Sequence, residues 1–455
     1  MNSAAKTKKK IKNRLKSNII KGTLILSCAS ILSRIIGFIY RIYLADILGE
    51  QLLGTYQLIF PIYVLCFTIY GAGMQSAISQ VVATLMGKNN THSKDDGLKG
   101  SVSKNITPRT ILLAGTILSF ILALFLSIFI NFNSKWIACN ILMVPDCDIY
   151  LKLLTYLFPF CSISACICGY QYGLENAKPP AIAGIIEQIT RILFVFIVQG
   201  FFSDKEICCQ IAVYGLTVGE FFGFLYNMST IKNKTFNKRK NKISLKESFK
   251  LLLPVFISLT SIKLTISLLH SVESIFIPAS LVKYGYTMSE ALSVYGIYSG
   301  MAMPFIMFPA TITMAISTML LPAVSKAHSS GNKKQIKKLI RRTSYFCLVT
   351  GMAATVFFLL FGNICASLFF HNELAGRYLT VMSFLCPFLY LNMTYSSILN
   401  GLGKPHMTFV ITVVCTLIKI LSLMFFVPKY GMIAYIAASL VAEALLCVML
   451  RHYCG

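Results

Sequence analysis

Charge is scarce in this chain. Only 13% of its 455 residues are Asp, Glu, Lys or Arg, and the acids number sixteen. That is about half the charged share of a soluble protein, which excludes an ordinary water-exposed globular surface. Catalytic signatures are missing too: there is no HExxH, no P-loop and no GxSxG. The acidic pair Asp146 and Asp148 forms an isolated DCD, too short to define a nucleotide-sugar site. There is no cleavable signal pattern, because the first apolar run is too long and lacks a small-residue cleavage site. The single tryptophan, Trp136, falls beside a loop, where an indole suits a membrane interface. No cofactor and no metal site is expected. The fifteen cysteines are scattered through apolar stretches, where Cys acts as a small hydrophobe. Cys139 and Cys147 share one loop and are a candidate disulfide.

What fills the chain is hydrocarbon, at 56% hydrophobic residues and mean hydropathy +0.70. Twelve apolar segments follow a basic tail (1–18), at 19–45, 55–86, 107–130, 149–173, 180–201, 207–228, 250–279, 291–325, 343–362, 376–401, 406–428 and 430–451. Each is long enough to cross a bilayer, which takes about 20 residues. Thirty-one of the forty-two lysines and arginines fall on the side of the tail (with Lys21 at its edge), and six on the other. This bias predicts a multi-pass membrane protein with both termini in the cytoplasm. It also explains the net charge of +26 without nucleic acid. Membrane lipids are therefore expected partners.

The basic run 229–249 divides the chain into halves, 19–228 and 250–452, that resemble each other. Third spans open on Arg109-Thr110 and Arg342-Thr343. Fourth spans carry Pro159-Phe160 and Pro387-Phe388, then end in GLENAKPP and LNGLGKP. Fifth spans carry a cation (Arg191, Lys419) and sixth spans a carboxylate (Glu220, Glu443). The expectation is an all-α polytopic membrane protein of about twelve transmembrane helices in two six-helix lobes, related by a parallel pseudo-twofold axis. Substrates in such folds bind near the midplane, between the repeats.

Polar residues inside apolar spans are the candidates for function. In the first span Ser27, Arg34 and Arg41 recur every seven residues, with Ser30 and Ser33 nearby, so they form one stripe. In the seventh, Thr260, Lys263, Ser267, His270 and Ser274 fall on one face, flanked by Glu273. The two stripes are expected to face each other across a cleft that attracts phosphate, because an arginine fork pairs with phosphate bidentately. The competing readings are snorkelling of Arg41 and neutralisation of Lys263 by Glu273. Gln75 in the second span, near Pro61, Gly71 and Gly73, joins the expected polar lining. Prolines 304, 309 and 322 mark a bend or break in the eighth. Glu187 and Arg191 stand four apart in the order of an intrahelical pair, read as mainly structural. Glu187, Glu220, Glu273 and Glu443 are candidate coupling carboxylates.

The stretch 33–80, SRIIGFIYRIYLADILGEQLLGTYQLIFPIYVLCFTIYGAGMQSAISQ, resembles the polysaccharide-biosynthesis proteins of the stage V sporulation protein B type. These belong to the multidrug/oligosaccharidyl-lipid/polysaccharide (MOP) flippase superfamily, with the lipid II flippases and the MATE drug exporters. The resemblance continues through LNGLGKP. It implies two lobes in a V that alternate between inward- and outward-open states. It implies a non-enzymatic flippase for an undecaprenyl-pyrophosphate-linked sugar of the peptidoglycan type, in cell-wall or spore-cortex synthesis, with cell-wall synthesis proteins as partners. Ser33-Arg34 matches a Ser-Arg pair essential in the lipid II flippases. Arg41 matches their second arginine with a spacing one residue longer. Those flippases have fourteen helices, two more than are read here. A cation-coupled multidrug exporter of the same fold is the alternative, and a membrane glycosyltransferase or polymerase ranks below it.

Overall fold

A computed structural model describes residues 31–90, 106–231 and 245–454. Within them the chain is helical nearly throughout, with no strand. α1 (31–58), α2 (Phe60–Phe67) and α3 (Gly73–Asn90) make the first two spans. Then come α4 (Pro108–Asn140), α5 (Cys147–Thr155), α6 (Phe158–Gly173), α7 (Lys178–Gln199) and α8 (Lys205–Thr230). The second half has α9 (Leu245–Tyr284), α10 (Met288–Gly296), α11 (Met303–Ser329), α12 (Lys333–Phe370), α13 (Glu373–Met382), α14 (Cys386–Gly401), α15 (Pro405–Phe425), α16 (Val427–Tyr430) and α17 (Met432–Cys454).

By length and composition ten helical stretches can cross a membrane, and the bent pair α5–α6 adds an eleventh. The first of the ten, Ile31–Met86, has 56 residues. Straight, it would reach about 84 Å, far beyond a bilayer of about 30 Å. Gly49, at φ +70°, stands in the left-handed region, and Arg41 and Tyr56 on either side of it line one cavity, so the chain turns back there. The reversal brings Tyr56 and Gln57 beside Arg41 in one cavity.

Ladder breaks recur at matching places. The second span carries a π turn at Thr68–Ala72 (TIYGA), and the eighth carries one at Ile297–Ala302 (IYSGMA). The fourth span bends by 47° before Pro159, and the tenth passes through a 3-10 turn, Ser383–Leu385, before Pro387. A proline removes a backbone donor and crowds the preceding turn, so the bends fall there. Packing recurs as well. α3 lies on α6 as α11 lies on α14, α7 on α8 as α15 on α17, and α6 on α8 as α14 on α17. α9 packs on α2, α3 and α4 of the first half and on α10, α15 and α16 of the second.

Turns 174–177, 330–332 and 402–404 lie on one face, where Gln171 bonds Thr230 (3.3 Å) and Lys404 bonds Tyr453 O (3.4 Å). Gly49, the 200–204 turn, the 285–287 turn and Asn372 lie on the other. There Gly49 approaches Lys205, and Glu50 bonds Asn372. The basic segment 326–342, read as a loop, is mostly the first turns of α12, whose Lys333–Arg342 stretch is helical. Cys139 and Cys147 are both free thiols, Cys147 buried and Cys139 exposed.

Candidate functional site

A cavity of about 650 Å³ lies between α1, the start of the second span, α7 and α11. Two helical stripes build its polar wall. Arg34, Gly37, Arg41 and Leu44 line it from α1; Ala181, Gly184, Gln188 and Arg191 line it from α7. Both sets step by three, four and three residues, which keeps them on one helical face. The helices meet where Gly37 leaves room for Gln188, whose Oε1 lies 3.9 Å from the place of a Cβ. Tyr40, Tyr56 and Gln57 close the deep end, and Ser33, Tyr172 and Pro180 lie toward the 174–177 face. Phe38 meets Phe305 edge-on and Phe308 at a tilt (ring centroids 4.7 and 4.8 Å apart), forming an aromatic wall beside Met303 and Met307.

Three arginines and no carboxylate line this space. Arg34 and Arg41 are exposed to it and form no ion pair among the described residues. Arg191 is bonded by Glu187 one turn earlier on α7. The cavity is therefore electropositive in a low-dielectric surround, which favours an anion carrying polar groups.

The opposite face is shut at backbone distance. A Cβ on Gly54 would stand 2.0 Å from Leu292 O, and one on Gly296 would stand 2.2 Å from Glu50 O. Leu53 packs on Gly300 just below.

The sequence placed Arg34, Arg41 and Ser33 on this wall, and the structure puts all three there. Ser27 and Ser30 lie outside the described residues. The expected second stripe, from the seventh span, is not in the cavity. Lys263 donates instead to Ala72 O (2.8 Å), a carbonyl of the π turn, and to Ser76 Oγ (2.5 Å). Ser267 bonds Thr68 (2.9 Å) and Ser271 bonds Pro61 O (3.0 Å). Thr260 packs against Gly73, and Ser274 meets Tyr295. Gln75 lies with its backbone against Gly169 of α6, away from the cavity. The stripe is thus a polar seam between α9 and the second span, which satisfies the broken ladder.

His270 also faces elsewhere. Its Nδ1 is 3.2 Å from Glu273 Oε2, in a second cluster among helices of the later half. Tyr435 donates to Glu273 (2.8 Å), Lys419 pairs with Glu443 (2.7 Å) and approaches Glu273 (4.0 Å), and Asn392 donates to Glu443 (2.8 Å). Glu220 lies against Ser164 and Cys161 of α6, within electrostatic reach of Glu187 and Arg191.

Arg191, Gln188, Gln57, Tyr40 and Tyr56 are lining residues that sequence reasoning did not assign to the cavity. A signal existed for Arg191, which shares a face with Gln188, Gly184 and Ala181 at the spacing of the α1 stripe. Its i−4 glutamate made a structural pair the simpler reading.

Comparisons with known proteins agree with this architecture. The chain is 26% identical over 412 residues to stage V sporulation protein B of Bacillus subtilis, covering 89% of this chain and 77% of that protein. It is 22% identical over 431 residues to the lipid II flippase MurJ of the same organism, covering 89% and 77%. Among solved structures, an inward-facing multidrug resistance MATE family transporter of the MOP superfamily superposes with a TM-score of 0.70 at 14% identity, covering 95% of this chain and 98% of that one. A MOP superfamily transporter from Pyrococcus furiosus, whose binding pocket of reverse polarity suggests a different function, superposes with a TM-score of 0.64 at 16% identity, covering 95% of each. The fold is that of the MATE transporters. A MatE family model matches residues 268–424, and a model of the polysaccharide biosynthesis proteins matches residues 19–328. That second match runs through both arginine stripes and well over half of the chain, which belongs to the polysaccharide biosynthesis protein family.

Proposed function

We propose that the protein is a flippase for a lipid-linked sugar whose lipid and sugar are joined by a diphosphate. The observation that carries this reading is the cavity lining, with three arginines and no carboxylate. Arg34 and Arg41 are the free charges, and two such charges balance the two negative charges of a diphosphate diester. The glutamine and tyrosine side chains at the deep end offer donors and acceptors to sugar hydroxyls. The aromatic wall of Phe38, Phe305 and Phe308 borders hydrocarbon, where the lipid tail remains. The relatives named as a sporulation protein and a lipid II flippase support a peptidoglycan-type head in a bacterial membrane, and the excess of lysine and arginine on the side of the 174–177 turn supports placing that face toward the cytoplasm. No covalent step is needed; two packings of the same helices, open to either face, suffice. An exporter of cationic drugs on this fold would place carboxylates in the lining, which here has none.

Native mass spectrometry of lipids that co-purify with the wild type and with Arg34→Ala tests the reading. A polyprenyl-diphosphate sugar held by the wild type and lost from the variant is the expected result. Ordinary phospholipids alone on both would overturn it.

A further inference from the structure

Two carboxamides line the cavity, Gln188 from α7 and Gln57 from the start of the second span, and neither forms a hydrogen bond within the described residues. Both are half-buried. A polar group held in a membrane interior is costly unless water or a ligand meets it, so each is placed to receive something. Packing sets where they stand against the arginines. α1 and α7 run side by side from the 174–177 face, meeting where Gly37 leaves room for Gln188 and again where Tyr43 donates to Gln199. Gln188 therefore stands level with Gly37, three residues past Arg34 and four before Arg41, or about 5 Å of helix rise from each. One turn earlier on α7, Gly184 has nothing within 4 Å of where a Cβ would stand, so the wall toward the 174–177 face is bare backbone. Gln57 shares its helical face with Leu53 and Phe60, four residues before and three after, which also line the cavity.

This mosaic suits one substituent better than a hydroxyl. A trans secondary amide turns its N–H and its C=O to opposite edges, so it is met by two separate carboxamides, one accepting from the N–H and one donating to the C=O. The methyl of an acetamido group needs an apolar seat, which Leu53 and Phe60 supply beside Gln57. A hydroxyl rotates to suit either carboxamide alone and leaves that apolar pair unused. The substituent also has to lie close to the diphosphate, because Gln188 is level with the middle of the Arg34–Arg41 stripe. In a sugar joined to a diphosphate through its first carbon, the group on the second carbon is the one that lies nearest. We propose that Gln57 and Gln188 are specificity-determining residues that read a 2-acetamido group on the sugar joined to the diphosphate. The head sugar is then an N-acetylated amino sugar rather than a plain hexose. This rests on the reading of the cavity as a diphosphate site.

The experiment is calorimetric titration of the purified full chain with two soluble probes, UDP-N-acetylglucosamine and UDP-glucose. They share the diphosphate diester, its charge and the nucleoside, and differ in the group on the second carbon. The wild type should bind the acetamido probe about tenfold more tightly, the worth of one or two net hydrogen bonds. Gln57→Met and Gln188→Met keep the length of the side chain and remove the amide; each should lower the preference, and the double variant should bring the two probes within about twofold of each other. Equal binding of both probes by the wild type, or tighter binding of UDP-glucose, overturns this inference and leaves the diphosphate reading intact. A tenfold preference that survives in the double variant overturns its assignment to these glutamines. Failure of the wild type to bind either probe overturns the diphosphate reading and this inference with it. Should a variant not fold, the ratio measured on the wild type still decides whether the cavity reads the acetamido group.

Discussion

Arg34 and Arg41 carry their function in their spacing. A seven-residue step keeps two arginines on one helical face, and a face that polar inside a membrane must meet water, an anion or another polar surface. The difference between an arginine and a lysine should therefore be measurable. Arg34→Lys keeps the charge but loses the planar fork, so transport should fall about tenfold at unchanged membrane abundance, whereas Arg34→Ala should abolish it. A complementation assay with quantified protein separates these outcomes from loss of folding. Lys263 teaches the converse lesson. Its stripe has the same helical signature as the α1 stripe, yet its partners are a π-turn carbonyl and a serine. A polar face in hydrocarbon is legible from sequence; whether it meets a cavity or a neighbouring helix depends on packing that only three-dimensional structure supplies. Arg191 was hidden for the same reason, because a glutamate one turn away satisfied it on paper.

At the scale of the element, the spans were legible because a bilayer forces long apolar runs, and the break of the second span was legible in the glycines around Tyr70; in the eighth the break is the π turn just before Met303, while Pro309 and Pro322, read as breaks, lie inside the continuous α11. The exact form of a break was not legible. The π turn at Thr68–Ala72 displaces one ladder bond, and the seam from α9 takes up the consequence through Lys263. Lys263→Met should therefore act on stability more than on substrate recognition. Losing a hydrogen bond from a charged donor costs about 1–3 kcal/mol, less what Ser76 retains through its own 3.1 Å bond to Ala72 O. A thermal-shift measurement should show a lower midpoint, with probe affinity in the cavity unchanged. A large loss of affinity at normal stability would return Lys263 to the binding site. The contact of Gly54 with Leu292 O is stricter, because backbone cannot move aside as a side chain does. Gly54→Val should hold the Gly49 face apart and leave the cavity wet from both sides, which labelling of a cysteine placed at Leu53 by an impermeant thiol reagent would register.

For the whole molecule, the cavity and the closed face describe one of the two arrangements that transport needs. Arg34, Tyr172 and Pro180 reach toward the 174–177 face, while Glu50 bonds Asn372 and the Gly54–Gly296 crossing seals the other. α9 is the element placed to connect the two, since it packs on the second span through the polar seam and is held to α15 and α17 through Glu273, Lys419 and Tyr435. If the sugar head leaves on the Gly49 face, Glu50 and Asn372 must separate in every cycle. Joining them should arrest transport without touching the cavity. A disulfide between Glu50→Cys and Asn372→Cys, in a background where the exposed Cys139 is replaced, is expected to stop flipping of a labelled lipid-linked sugar in vesicles and to release it on reduction. Binding of the soluble diphosphate sugar should persist in the cross-linked protein, because Arg34, Arg41 and Arg191 remain reachable from the 174–177 face. Transport at the wild-type rate with the cross-link fully formed would mean that this face is not the exit, and that the head leaves by a path between other helices.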